Sequence, residues 1–293
     1  MSPKHVLKFI ALGFGLAMSG AVLANPINIL WYTGGTEASG PGTYEADINT
    51  LAALAPSSPG GNTWNVTFWT GGAMPTAPSG GYNVLVIASP EGGWTSNPDY
   101  SALSSSLGSI SYGDRLMLTG QDADWHYMNY PGPSSFDGPQ GFLLDSINWA
   151  GNGTGMGLVA LGMDGLADCG GGPALGLTGY GGDCNSTNDV QIPGAYASFP
   201  INTGLTSAGL SNWSTSAHTE FFDLDSTKWI GINVDGGRSF CGTSEGGCYV
   251  TIVSAATGGG GIGTSVPEPA ALGMFGLGLV LIGLFAGLRR RTA

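Results

Sequence analysis

The densest run of chemically capable side chains is Gly120-Gln121-Asp122-Ala123-Asp124-Trp125-His126. It follows directly on Asp114 to Thr119, which reads as a strand. Asp122, Asp124 and His126 alternate, so an extended loop would point all three the same way. Two carboxylates and an imidazole so placed could hold a divalent metal. The preferred reading is plainer. Asp122 or Asp124 caps the turn or helix that follows, and His126 packs beside Trp125 and Tyr127. Glu91 follows another apolar strand and Glu37 the first one, which puts further acids on the same rim. His218 and Glu220, two residues apart, are the other candidates for acid–base chemistry. Trp31, Trp69, Trp94 and Trp125 could stack on sugar rings, although Trp31 and Trp69 end apolar strands and belong in a core. Gly34-Gly35, Gly71-Gly72 and Gly92-Gly93 read as tight turns, because none carries the spacing of a phosphate loop.

These residues need elements to position them. Strands are expected at 27–32, 64–69, 82–88, 114–119 and 156–161. Tyr44, Ile48, Leu51 and Leu54 fall at helical spacing, and 141–150 and 100–107 also read as helical. Strands alternating with helices imply βαβ units and an open, mostly parallel α/β sheet. In such a sheet ligands sit outside the C-terminal ends of the strands, where 120–126 would lie. The second half is richer in glycine and loops, with strands expected near 221–224, 229–234 and 249–253.

Composition narrows the setting. Glycine supplies 53 of 293 residues and charged residues only 10%, yet aromatics reach 10%. This is a folded chain with long Gly-rich loops, not a disordered one. Five of the eight basic residues, Lys4, Lys8, Arg289, Arg290 and Arg291, sit at the two ends. Between them stand Arg115, Lys228 and Arg238 against nineteen acidic residues, a net charge near −16. A surface of that sign repels phosphate backbones, so nucleic acid is an unsuitable partner. The four cysteines, Cys169, Cys184, Cys241 and Cys248, are even in number and lie in Gly-rich segments. Pairing of nearest neighbours, Cys169–Cys184 and Cys241–Cys248, is preferred, with two other connectivities open.

The ends carry their own grammar. Lys4 and Lys8 precede an uncharged apolar run from Phe9 to Leu23, and Val22-Leu23-Ala24 offers acceptable residues before a cut. That is the pattern of a cleavable signal peptide over 1–24, with a signal helix removed by signal peptidase. At the other end Val266-Pro267-Glu268-Pro269 leads into 19 uncharged residues, 270–288, and then Arg289-Arg290-Arg291. A helix of that length just spans the hydrocarbon core, and the arginines would remain cytoplasmic. Residues 255–265 form a Gly-rich linker, leaving 25–254 as the exported α/β domain.

The C-terminal arrangement resembles the PEP-CTERM sorting signal of Gram-negative, exopolysaccharide-producing bacteria. The resemblance implies recognition by an exosortase near Val266, Pro267, Glu268 and Pro269. It also implies transient membrane anchoring, then delivery to the outer envelope or extracellular matrix. The domain resembles the class I glutamine-amidotransferase-like fold, including its trehalose-utilisation-type relatives. That likeness rests on the element order and on Phe199-Pro200-Ile201-Asn202-Thr203-Gly204-Leu205, Trp213 and Ser216-Ala217-His218. It implies a flavodoxin-like sheet and a His-x-Glu pair at His218 and Glu220. The family's nucleophile elbow reads Gly-x-Cys-x-Gly, whereas Gly120-Gln121-Asp122 stands here, so amidotransferase activity is not implied. The expectation is therefore an exported envelope protein with a non-catalytic domain that binds a glycan or another envelope component. The alternatives are an envelope hydrolase acting on a carbohydrate or amide with a divalent metal, and a structural surface-layer component.

Overall fold

The computed structural model describes residues 26–33, 43–58, 61–89, 111–129, 136–162, 175–211, 213–238, 241 and 247–255. The expected signal helix, the 100–107 helix, the linker, the sorting segment, Glu37, Glu91, Trp94 and Cys169 lie outside them. Among the described residues no helix is long and apolar enough to cross a membrane.

The chain opens with β1 (Ile27–Tyr32), a wholly buried run, followed by helix α1 (Thr43–Leu54). Strands β2 (Trp64–Trp69) and β3 (Val84–Ile87) come next, then β4 (Tyr112–Thr119) and helices α2 (Ala123–Asn129) and α3 (Pro139–Gly151). Strand β5 (Met156–Ala160) closes this half. The second half adds β6 (Gly181–Thr187), β7 (Val190–Gln191), the short helix α4 (Ser207–Leu210), β8 (Ala217–Phe222), β9 (Trp229–Asp235) and β10 (Tyr249–Ser254).

The ten strands form one mixed α/β sheet. Five are parallel, in the order β2-β1-β3-β5-β4. Antiparallel pairing begins where β10 meets β4 and continues through β8, β6, β9 and β7. Two expectations are corrected. The sheet is half antiparallel, not mostly parallel: the five strands of the second half all pair antiparallel, and β10 joins them to β4. The parallel half also departs from the flavodoxin-like order 2-1-3-4-5, since β5 inserts between β3 and β4.

The sheet is covered on both faces. On one, Tyr44, Ile48 and Leu51 of α1 and Phe142, Leu143 and Ile147 of α3 pack over Ile29, Trp31, Val84, Val86 and Val159. The apolar residues of α1 recur at helical spacing because that stripe must face the sheet. Pro139 starts α3, where its missing N–H costs nothing. Asn148 pins α3 to β2: its Oδ1 accepts from Trp64 Nε1 at 2.8 Å, and its Nδ2 donates to Ser58 Oγ at 3.0 Å. On the other face Leu175 and Trp229 cover Leu30, Leu85, Leu118 and Leu158, with Tyr180 packed against them.

The two halves meet closely at Gly120. His218 N donates to Gly120 O at 2.8 Å, and Gly120 N donates to Val250 O at 2.9 Å. A Cβ on Gly120 would lie 1.9 Å from Thr219 O. Only glycine lets β8 run this close to the end of β4. Gly120→Ala is therefore expected to destabilise the domain by about 1–3 kcal/mol. Urea unfolding of the purified chain would show a lowered midpoint with an unchanged slope.

Candidate functional site

The turn after β4 passes straight into α2, whose first residue is Ala123. Asp122 ends the turn, and its carbonyl accepts from His126 N at 3.1 Å. The alternative reading, in which Asp122, Asp124 and His126 alternate along an extended loop and hold a metal together, is excluded by this helix. Helix geometry sets 122 and 126 on one face and turns 124 away.

Asp122 is buried between two imidazoles. His126 Nε2 lies 3.1 Å from its Oδ1, and His218 Nε2 lies 3.7 Å from its Oδ2. Burial alone would raise the Asp122 carboxyl, but His126 and His218 together hold it below the usual carboxylate value. His126 Nε2 also lies 2.8 Å from Thr215 O. A carbonyl only accepts, so this nitrogen carries a hydrogen, and its lone pair is not available to a metal. Thr215 follows Ser214, which sits at φ 81°, and this turn is tied down by Trp213 N to Ser216 Oγ and Ser216 N to Asn188 Oδ1. Backbone strain of that kind persists where the surroundings over-determine it. The His126 ring also packs 5.5 Å from that of Trp213 and 4.9 Å from that of Trp125.

Asp124 serves a different set. Its Oδ2 accepts from Tyr44 Oη at 2.6 Å and from Ser89 N at 3.0 Å, and Trp31 Nε1 donates to the same Tyr44 oxygen at 3.0 Å. Burial raises the Asp124 carboxyl despite the Tyr44 and Ser89 bonds, and the Asp122 charge adds to the rise. Burial and then the Asp124 charge push Tyr44 well above its ordinary value, so its hydroxyl keeps its proton and donates. The structure thus brings Asp122, His126 and His218 together and gives Asp124 to the junction of β1, α1 and α2.

Glu220 is wholly buried on β8. Asn185 Nδ2 donates to its Oε1 at 2.6 Å, and Arg238 Nη1 donates to its Oε2 at 3.1 Å. Burial, with the neighbouring Asp235, pushes Glu220 up to about 7, and Asn185 and Arg238 oppose the rise. Cys241 and Cys248 form a disulfide, as nearest-neighbour pairing expects. Cys184 is also disulfide-bonded. Trp31 and Trp69 are buried, whereas Trp125 stays partly exposed. Gly71 and Gly72 both have positive φ, as a tight turn requires.

Sequence reasoning missed Tyr44, Ser89 and Thr215 as partners of the acids, and Asn185, Asp235 and Arg238 around Glu220. Tyr44 was legible only as a helix-stripe residue. Thr215 contributes a carbonyl, which no residue type announces.

Residues 265–291 match the PEP-CTERM protein-sorting motif. The motif implies an exported protein sorted by an exosortase and points to an envelope-associated location. No curated protein and no solved structure matches the chain.

Burial also pushes Asp145 of α3 up to about 7. Asp145 and Glu220 bind their protons more tightly folded than unfolded, so their contribution is full below the ordinary carboxylate range. It is lost as pH rises through about 7. Asp124 acts with the same sign, and lowered Asp122 acts only at lower pH. The melting temperature is expected to fall between about pH 5 and pH 8, each kcal/mol lost lowering it by roughly 2–4 °C. Asp145→Asn should flatten that decline in a calorimetric series.

Proposed function

We propose that residues 25–254 form a non-catalytic module that binds a glycan of the envelope or matrix at the C-terminal edge of the parallel strands. The observation that carries this reading is Trp125. Of the rim tryptophans among the described residues it is the one left partly exposed, next to the Asp122–His126–His218 cluster. A tryptophan face beside polar groups held rigidly by internal hydrogen bonds suits a sugar ring, with stacking supplying affinity and the imidazole orienting hydroxyls. Of the two imidazoles, His218 is the more accessible, its side chain 18% exposed. The sparse, acidic charge of the domain favours an uncharged polymer over a polyanion.

One observation favours a second reading, an envelope hydrolase. A buried, ionised Asp122 facing the partly exposed His218 could orient that imidazole as a general base toward water. The two readings separate in one experiment with exopolysaccharide from the producing cell. Adsorption without product, weakened about tenfold by Trp125→Ala, a loss of about 1.4 kcal/mol, is expected. Turnover that disappears in His218→Ala, with no retention of intact polymer, would replace binding by hydrolysis.

In the proposed route the signal peptide 1–24 is removed on export. The apolar segment 270–288 and Arg289-Arg290-Arg291 hold the chain at the membrane until the exosortase acts near 266–269. Protein recovered from wild-type cells should lack the peptides of 270–293 by mass spectrometry. The double substitution Pro267→Ala and Glu268→Ala should retain them and leave the protein in the inner membrane.

A further inference from the structure

The disulfide end of the domain contains a group that the glycan site does not use. Cys241 and Cys248 are each 1% exposed, their Cα atoms are 5.2 Å apart, and Glu220 beside them is wholly buried. Glu220 Oε2 lies 2.6 Å from Cys241 Sγ. With that sulfur bonded to Cys248 it has no hydrogen of its own to donate, so the contact is not a thiol hydrogen bond. One ligand atom from each of Glu220, Cys241 and Cys248 falls within 4.8 Å of the others. Two thiolates on one ion, each about 2.3 Å from it, must stand farther apart than two bonded sulfurs, so the group can take an ion only once the disulfide is open. The surroundings are electronegative. Asp183 and Asp235 adjoin Glu220, and Arg238 is the cation that reaches both Glu220 and Asp183.

We propose that reduction of the Cys241–Cys248 bond converts this group into a binding site for Zn²⁺ or a cation of the same class. Cys241, Cys248 and Glu220 are its protein ligands, and a fourth position is left to water. A dithiol supplies the electrons: the Cys241–Cys248 bond breaks, both sulfurs become thiols, and the dithiol closes to its own disulfide. Binding then releases the two thiol protons to solvent. The Cα separation suits the covalent bond, and the same backbone can present two thiolates to one ion. Oxidant and metal therefore compete for one pair of sulfurs, and either one closes the connection between β9 and β10.

The test uses the full chain in detergent, reduced anaerobically with a water-soluble phosphine, desalted and titrated with Co²⁺. One Co²⁺ per reduced chain is expected, with an intense thiolate-to-cobalt band in the near ultraviolet that Zn²⁺ abolishes, and none in the oxidised chain. Cys241→Ser or Cys248→Ser should remove the band. Glu220→Gln should keep it while weakening affinity by at least about tenfold. Cys184→Ser, which removes a cysteine of another disulfide, should change nothing. Circular dichroism of the oxidised Glu220→Gln chain checks that this variant is folded. A reduced wild-type chain with no cobalt–thiolate band, folded or not, overturns the proposal. So does a band that survives Cys241→Ser or depends on Cys184, and unchanged affinity in Glu220→Gln removes the three-ligand site.

Discussion

The approach of β8 to the end of β4 across Gly120 is the contact on which the rest of the domain turns. A parallel sheet ends at β4, and an antiparallel one begins with β10 beside it. β8 has to share the same edge of β10, and it can do so only if its Thr219 carbonyl sits where a side chain on residue 120 would be. The bond from His218 N to Gly120 O follows from that approach. So does the position of His218 Nε2 opposite Asp122. Glycine here is a steric requirement of the junction between two kinds of sheet.

Around that junction the domain holds its acids in buried, hydrogen-bonded positions, since a buried carboxylate without partners is costly. Asp124 ties the ends of β1 and β3 to α1 and α2 through Tyr44, Trp31 and Ser89. Asp122 is stabilised by two imidazoles, and Glu220 by Asn185 and Arg238. With three basic residues between the two ends of the chain, most acids cannot find a cation, so hydroxyls, amides and imidazoles take that role. This accounts for the opposite directions in which burial and partners move Asp122 and Asp124, two residues apart.

Much of the fold was legible locally. The strands at 27–32 and 64–69 coincide with their apolar runs, and the helices expected over 44–55 and 141–150 differ from α1 and α3 by a residue or two. β6 was not legible, because Gly181-Gly182-Asp183-Cys184-Asn185-Ser186-Thr187 has no apolar face. It is a strand through its pairing with β8. For 122–126 the residue types left two readings open, an extended loop that aligns Asp122, Asp124 and His126, and the preferred one of a cap on a following turn or helix. The helical bond from His126 N to Asp122 O decides for the second. The acids and histidines of the candidate site were legible as residue types, while their grouping was not.

By itself the sequence determined the sorting signal, since a PEP motif, an apolar segment and an arginine cluster are legible in order along the chain. It also determined the α/β class and the apolar stripes of the main helices, because periodicity is a local property. Tertiary structure alone decided that β5 inserts between β3 and β4, that the sheet turns antiparallel at β10, and that Asp122 meets His218 across nearly a hundred residues. Pairing between distant strands depends on which edges and faces are left to be covered once the local elements exist, and no short window of residues contains that information.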